Sequence, residues 1–175
     1  MRLPARKNPA FNATINPSLN ATLNPALNPS LNPALNPSIN PALNPQLNPA
    51  LNPQVNPGLN PQINFALNPT INPALNPQVN PALNPNTNPA LAADPDVVFL
   101  FGVNHRAHSF AVLAGNGALV VFDESNGHFG TGAPGPDSSF VLFDRSHRWV
   151  GYLIPDGQGG YAHFDDSAQW IGYGV

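Results

Sequence analysis

Apolar residues recur at every fourth position through the first half of the chain. Residues 8–91 divide into 21 consecutive tetrapeptides of the form Asn-Pro-x-Leu. Asparagine opens every unit and Pro follows in 18 of them, with Ala13, Ala21 and Phe65 in the other three. The fourth place is Leu, Ile, Val or Phe in every unit except the one ending at Thr87. A helix is excluded, because a Pro in each turn removes a backbone donor at about 3 kcal/mol apiece. A paired central strand is excluded for the same missing donor. Two conformations remain. One is a chain of β-turns, with Asn at the first position, Pro at the second and the Asn side chain accepting from an amide two residues on. The other is an extended polyproline-II-like rod of about 3.1 Å per residue.

The third position carries a second period. From Ala26 onward it alternates between small and polar residues (Ala26, Ser30, Ala34, Ser38, Ala42, Gln46, Ala50, Gln54), so the repeating unit is an octad. This alternation predicts two unlike environments, one admitting only a small side chain and one open to water. The tract has no charged residue, and it carries a large apolar side chain in nearly every unit. Disordered chains are usually poor in apolar residues and rich in charge. The pattern therefore favours a solenoid or a self-associating rod over a flexible low-complexity spacer.

The second half has a different period. Phe101, Phe122, Phe143 and Phe164 are spaced by 21 residues. Each begins a segment with a polar turn, such as Phe143-Asp-Arg-Ser-His-Arg-Trp-Val-Gly. Apolar runs at 97–101, 118–122, 139–143 and 160–164 precede the turns, and short strands such as 149–154 and 170–173 follow. Gly- and Pro-rich links join the units, and Asn116-Gly117 is a strong tight-turn signal. Each unit reads as a β-hairpin. One hairpin is not stable alone, but four can converge their aromatic and aliphatic faces on a shared axis and hide their edges. The sequence thus predicts an all-β protein: a small pseudo-four-fold domain of four hairpins, preceded by a turn-rich or extended tetrapeptide tract without helices. The divisions are a basic tip at 1–7, the tract at 8–91, a linker at 92–96 and the β domain at 97–175.

The segments Phe143-Asp144…Trp149-Val150-Gly151-Tyr152 and Phe164-Asp165…Trp170-Ile171-Gly172-Tyr173 resemble the repeat of the bacterial four-fold β-flower domain. The first unit departs most, with Gly102 in the Asp column and Ser109-Phe110 for Gly-Tyr. The resemblance implies a fold and no defined activity. The tetrapeptide tract resembles no family closely enough to carry a function.

Charge and composition narrow the function. All charges lie in 1–7 or 94–175, and the latter holds nine acids against Arg106, Arg145 and Arg148. That balance argues against a nucleic-acid partner. No apolar stretch is long enough for a membrane span. The basic start is not followed by the apolar core of a signal peptide. The compartment is unknown from sequence, with a lean toward a cell-surface or extracellular setting. There is no cysteine, which removes thiolate metal sites and cysteine nucleophiles.

Candidate chemistry is sparse. Asp123, Asp144 and Asp165 form one column and Ser125, Ser146 and Ser167 another. A carboxylate ring for a hard cation is one reading; turn closure, with the side chains bonding turn amides, is the favoured one. His105 and His108 with His128 or His147 would make a metal set, but no such set falls in one column of the repeat. No Ser has a nucleophile-elbow context. The expectation is no catalytic residue, no metal, no cofactor and no enzyme. Trp149, Tyr152, Trp170 and Tyr173 are the candidate ligand surface, suited to stacking on a sugar. Asn12 and Asn20 begin the sequons Asn-Ala-Thr and are candidate glycosylation sites.

The resulting expectation is a structural or interaction protein: a stalk or fibre-forming tract that self-associates and bears a small β head. The alternative is a binding module, for a glycan or protein ligand, on an inert spacer. On the first reading, a chain lacking 8–91 stays a soluble folded head but no longer assembles.

Overall fold

The structure, a computed structural model, describes residues 3–40 and 42–175, with Ala5 described by its backbone alone. Arg2 of the basic tip lies outside the described residues. The second half forms eight strands: β1 (Val98–Gly102), β2 (Ala107–Leu113), β3 (Leu119–Asp123), β4 (His128–Pro134), β5 (Phe140–Asp144), β6 (Trp149–Pro155), β7 (Tyr161–Asp165) and β8 (Trp170–Gly174). Each pairs antiparallel with the next, and β8 returns to β1, so the sheet closes into a barrel without edges. No α-helix occurs among the described residues, and the all-β reading holds.

The 21-residue period has a backbone basis. In the second hairpin the Asp123 N–H bonds Gly127 O at 2.9 Å and the Asn126 N–H bonds Asp123 O at 3.1 Å. One residue per turn must then enter the left-handed region. His105, Asn126, His147 and Ala168 do so, at φ 60°, 64°, 61° and 61°, and they are spaced by 21. A one-residue register slip accompanies each turn, between Leu100/Phe101, Val121/Phe122, Leu142/Phe143 and His163/Phe164.

Alternation along the strands sorts the side chains onto two faces. One face gathers Leu100, Leu119, Val121, Leu142 and Leu153, all buried and packed without help from the tract. This is the lumen. The other face carries the aromatics: Phe99, Phe101, Phe110, Phe122, Phe143, Tyr152, Phe164 and Tyr173 are each 2 % exposed or less. The expectation that the aromatic faces converge on the axis is corrected here: aliphatic residues, joined by Phe140 and Tyr161, fill the lumen, and these eight rings point outward. An eight-strand barrel has room inside for side chains of modest size, so the bulkiest rings pack from outside. They pair across the seams between units, as Phe101–Tyr173 (5.3 Å between centroids), Phe110–Phe122 (5.5 Å) and Tyr152–Phe164 (5.5 Å). At the fourth seam Phe143 faces Thr131 instead.

The tetrapeptide tract is what covers this outer face. It is a succession of turns, as the first of the two conformations requires. Each asparagine Oδ1 accepts from the amide two residues on, as in Ala26 N–H to Asn24 (3.0 Å), and in every unit but the one opening at Asn76 its carbonyl accepts three residues on, as in Leu27 N–H to Asn24 O (2.9 Å). The side-chain amides tie successive coils. Asn28 Nδ2 donates to Thr22 O six residues back (2.8 Å), and the alternate asparagines reach seven back, as Asn40 to Pro33 O (2.9 Å). One coil thus takes eight residues, which is the octad.

Within an octad one apolar residue turns in and the other turns out. Leu23, Leu31, Ile39, Leu47, Val55, Ile63, Ile71 and Val79 are buried, while Leu19, Leu27, Leu35, Leu43 and their successors to Leu91 are exposed. The two environments expected from the third position exist, but at the fourth. Both Ala26 and Ser30, for example, lie on the open side. The inward column joins the barrel's aromatic face. Leu31 and Ile39 pack with Tyr152, Ile154 and Phe164, and Val55, Ile63, Ile71 and Val79 pack with Phe99, Phe110, Phe122 and Phe143.

Contacts in chain order trace a circuit. Residues 31–39 lie against β6 and β7, 44–55 against the β4–β5 link, and Gly58 against His147 in the β5–β6 turn. Asn116 in the β2–β3 turn then donates to Gln62 O (2.8 Å), and Gly115 faces Thr70. The two ends meet, with Arg6 paired to Asp94 and Lys7 Nζ donating to Val97 O (2.7 Å). The tract is a belt of turns wound once round the barrel.

Phe65, which breaks the Pro column, has a place in this belt. The second hairpin has His128 and Thr131 where the third has Trp149 and Tyr152, so it is short of ring area. Phe65 packs on that side, 4.4 Å from the His128 ring and 5.5 Å from the His147 ring.

Candidate functional site

The turn-forming columns account for most of the polar residues singled out from sequence. Asp123 Oδ1 accepts from the amides of Ser125 (2.8 Å) and Gly127 (2.9 Å). Asp144 does the same with Ser146 and Arg148, and Asp165 with Ser167 and Gln169. These carboxylates close turns, and the bonds to amides and to Arg148 hold the Asp144 carboxyl below its ordinary range despite an opposing effect of burial.

The histidines go to three different places. His105 sits between Tyr173 OH (2.9 Å) and Ser18 Oγ (3.1 Å), joining barrel and belt. His128 and His147 flank Phe65. His108 meets His163, a residue that sequence reasoning passed over. Among the described residues no three His, Cys, Asp or Glu converge as a metal site would need.

The four aromatics expected to form a ligand surface do not share an open face. Tyr152 and Tyr173 are buried, and burial raises both phenols above their ordinary pKa. Trp149 and Trp170 are half-buried, each indole N–H donating to a backbone carbonyl two residues on, at Gly151 (3.0 Å) and Gly172 (2.5 Å). Trp149 stacks on the protein's own Tyr152 ring at 6.1 Å, and Trp170 packs against the cluster of Tyr152 and Phe164. The sequon asparagines are engaged as well. Asn12 Nδ2 donates to Arg6 O (3.0 Å), Asn20 Nδ2 to Thr14 O (3.4 Å), and each Oδ1 also takes the hydroxyl of its own sequon threonine. A glycan on either nitrogen would occupy a donor that ties two coils.

The structure instead opens a cavity at the turn end of the lumen, of about 290 Å³ and lined from all eight strands. It is made of two rings in the 21-residue register. Leu100, Val121, Leu142 and His163 form the floor, and His108, Phe129, Val150 and Ile171 form the rim. Three floor positions are aliphatic and the fourth is His163. Three rim positions are apolar and the fourth is His108. The two departures from four-fold symmetry are neighbours, with ring centroids 6.3 Å apart. Ser109 Oγ lies 2.9 Å from His108 Nδ1.

His163 is 8 % exposed, and its Nδ1 has no hydrogen-bond partner in the protein. Burial, and secondarily the neighbouring His108, pull this imidazole down to about 4, against a smaller opposing pull from Asp165. Burial also lowers His108, against a smaller pull from Glu124. Both rings are therefore neutral near pH 7.

This gives a pH dependence with a fixed sign. The unfolded histidine, with a pKa near 6.5, binds a proton that the folded one refuses until pH falls to about 4. Stability is thus complete above about 6.5 and declines as pH drops toward 4, by on the order of 3 kcal/mol from this residue. Urea unfolding midpoints between pH 7 and 4.5 should fall steeply, and His163→Leu should flatten the slope. An equal slope in the variant would assign the loss to other groups.

Comparison with known protein families, with curated proteins and with solved structures finds no match for this chain. What fold and site together define is a closed, eight-strand antiparallel β-barrel of four hairpins, compatible with the four-hairpin domain read from the repeat motif. A turn solenoid surrounds it and a small cavity opens at one end.

Proposed function

We propose that the chain is a structural or interaction protein that associates with copies of itself through the outer side of the belt. The observation that carries this reading is a row of outward side chains at eight-residue spacing, from Phe11 and Leu19 to Leu91, each between 53 % and 78 % exposed. Together they present apolar surface on the order of 1,000 Å², where a monomer's largest patch is usually about 300–600 Å². The row is also uniform. Ten of its eleven residues are Leu, whereas the buried column mixes Leu, Ile, Val and Thr to fit the barrel. Side chains in open solvent need no such uniformity. Identical residues at a constant rise suit an interface with another identical row.

No charge interrupts this surface, so nothing on it opposes the approach of a second copy. The row follows the belt round the barrel. One neighbour therefore covers only a few coils, and several can bind at once, which favours extended assemblies over closed dimers. This is the fibre-forming role expected from the sequence, with the leucine row as its agent.

Replacing Leu27, Leu35, Leu43, Leu51 and Leu59 together by Gln tests it. Because these side chains are exposed, the melting temperature should change by only a few degrees. Sedimentation velocity should show the wild-type chain growing into larger species with concentration and the variant remaining a monomer. A wild-type chain that stays monomeric at about 100 μM would overturn the proposal.

A further inference from the structure

We propose that the cavity at the mouth of the barrel binds a small, neutral, largely apolar molecule bearing one hydroxyl group, of the size of a two-ring phenol. Three observations support it. The cavity is concave and apolar, at about 290 Å³; a dry cavity of roughly 150 Å³ takes one benzene. Its only two imidazoles interrupt otherwise apolar rings of the repeat, and they do so side by side. His163 Nδ1, buried and unpartnered, bears a cost that a purely structural floor residue would avoid, since Leu occupies the same register position in two other units.

The charge of the ligand follows from the surroundings. Neither imidazole supplies a positive charge near pH 7, and Asp123 stands at the cavity edge with Glu124 acting on His108. Among the lining residues a carboxylate or phosphate would meet Asp123 and no Lys or Arg. A cation would be desolvated against Leu100, Val121, Leu142 and Ile171, while Asp123 is already committed to two turn amides. A neutral body with one polar group fits both constraints. A hydroxyl both donates and accepts, which matches a pair of neutral imidazoles whose tautomers can adjust. Exposed Phe129 and Ile171 at the rim extend the apolar path outward.

The test uses the full chain with 2-naphthol and naphthalene as probes, followed by fluorescence titration. One saturable site per chain is expected, with naphthalene at least tenfold weaker than 2-naphthol. His163→Leu should remove that preference. Ile171→Trp at the exposed rim should abolish binding of both while leaving the near-ultraviolet circular dichroism of the buried rings unchanged apart from the added indole. The five-fold Leu→Gln belt variant should bind as the wild type does, which separates this site from partition onto the leucine row and from the assembly proposal. Unsaturable uptake, equal affinity for the two probes, or full binding by a folded Ile171→Trp variant would overturn the inference.

Discussion

A chain cut down to residues 94–175 should fail to fold as a soluble monomer. The barrel closes its own hydrogen-bond ladder, but its largest side chains face outward. Phe99, Phe101, Phe110, Phe122, Phe143, Tyr152, Phe164 and Tyr173 are covered because Leu31, Ile39, Val55, Ile63, Ile71 and Val79 lie over them. Burying one aliphatic side chain contributes about 1.5–3 kcal/mol. The inward column alone therefore represents on the order of 10–20 kcal/mol, before the aromatic surface it hides is counted. A whole domain is stable by about 5–15 kcal/mol. The expected result is aggregation, or a soluble product without cooperative melting and without near-ultraviolet signal from fixed rings. This is opposite to the outcome expected from sequence, in which the head survives alone. A cooperative melt of 94–175 within a few degrees of the full chain would show that the belt is dispensable. Adding residues 3–93 in trans offers a second readout, because a belt that supplies the missing face should restore the ring signal.

The reason the sequence misled on this point is instructive. Two repeats with periods of 4 and 21 look like two independent materials, and nothing local joins them. Strand positions, hairpin turns and the turn chemistry of Asn and Asp were legible, because each depends on residues within about five positions. The inside and the outside of the barrel were not. Strand alternation gives two apolar faces here, and the rule that apolar residues converge on one core could not choose between them. A signal was available in the fourth position of the tetrapeptides. Its members alternate between a nearly invariant Leu and a mixture of Leu, Ile, Val and Thr, and only the mixed column adapts to the barrel. Similarly, Phe65 in the tract and His128 and Thr131 in the second hairpin are isolated oddities until the fold brings them to one side. The cavity was hidden for a related reason. His108 and His163 lie 55 positions apart in sequence, and only the 21-residue register shows that each replaces an apolar residue in its ring.

Gly151→Ala should be as damaging as removing the belt, although it adds a single methyl group. Gly130, Gly151 and Gly172 occupy one column of the repeat and lie where each unit's second strand runs beside the first strand of the next. A Cβ on Gly151 would fall far inside contact with the carbonyl oxygen of Phe164, and on Gly130 and Gly172 with those of Phe143 and Phe101. The obstacle is backbone, so no rotamer change relieves it. The two strands must separate, which breaks ladder hydrogen bonds and unseats the Tyr152–Phe164 stack beneath the belt. Gly151 also has φ 151°, outside the range other residues readily adopt. A loss of at least about 4 kcal/mol is expected, at the upper end for single substitutions, and enough to leave the chain largely unfolded at 37 °C. Ser109 is the internal control. It holds the same column in the first unit, opposite Asp123, and already carries a side chain. The backbone there accommodates a Cβ, so Ser109→Ala should shift the urea midpoint only slightly while Gly151→Ala and Gly172→Ala abolish the cooperative transition. Equal midpoints across the three variants would mean that the seams are looser than the close approach of Gly and carbonyl implies, and that barrel closure does not depend on glycine at these crossings.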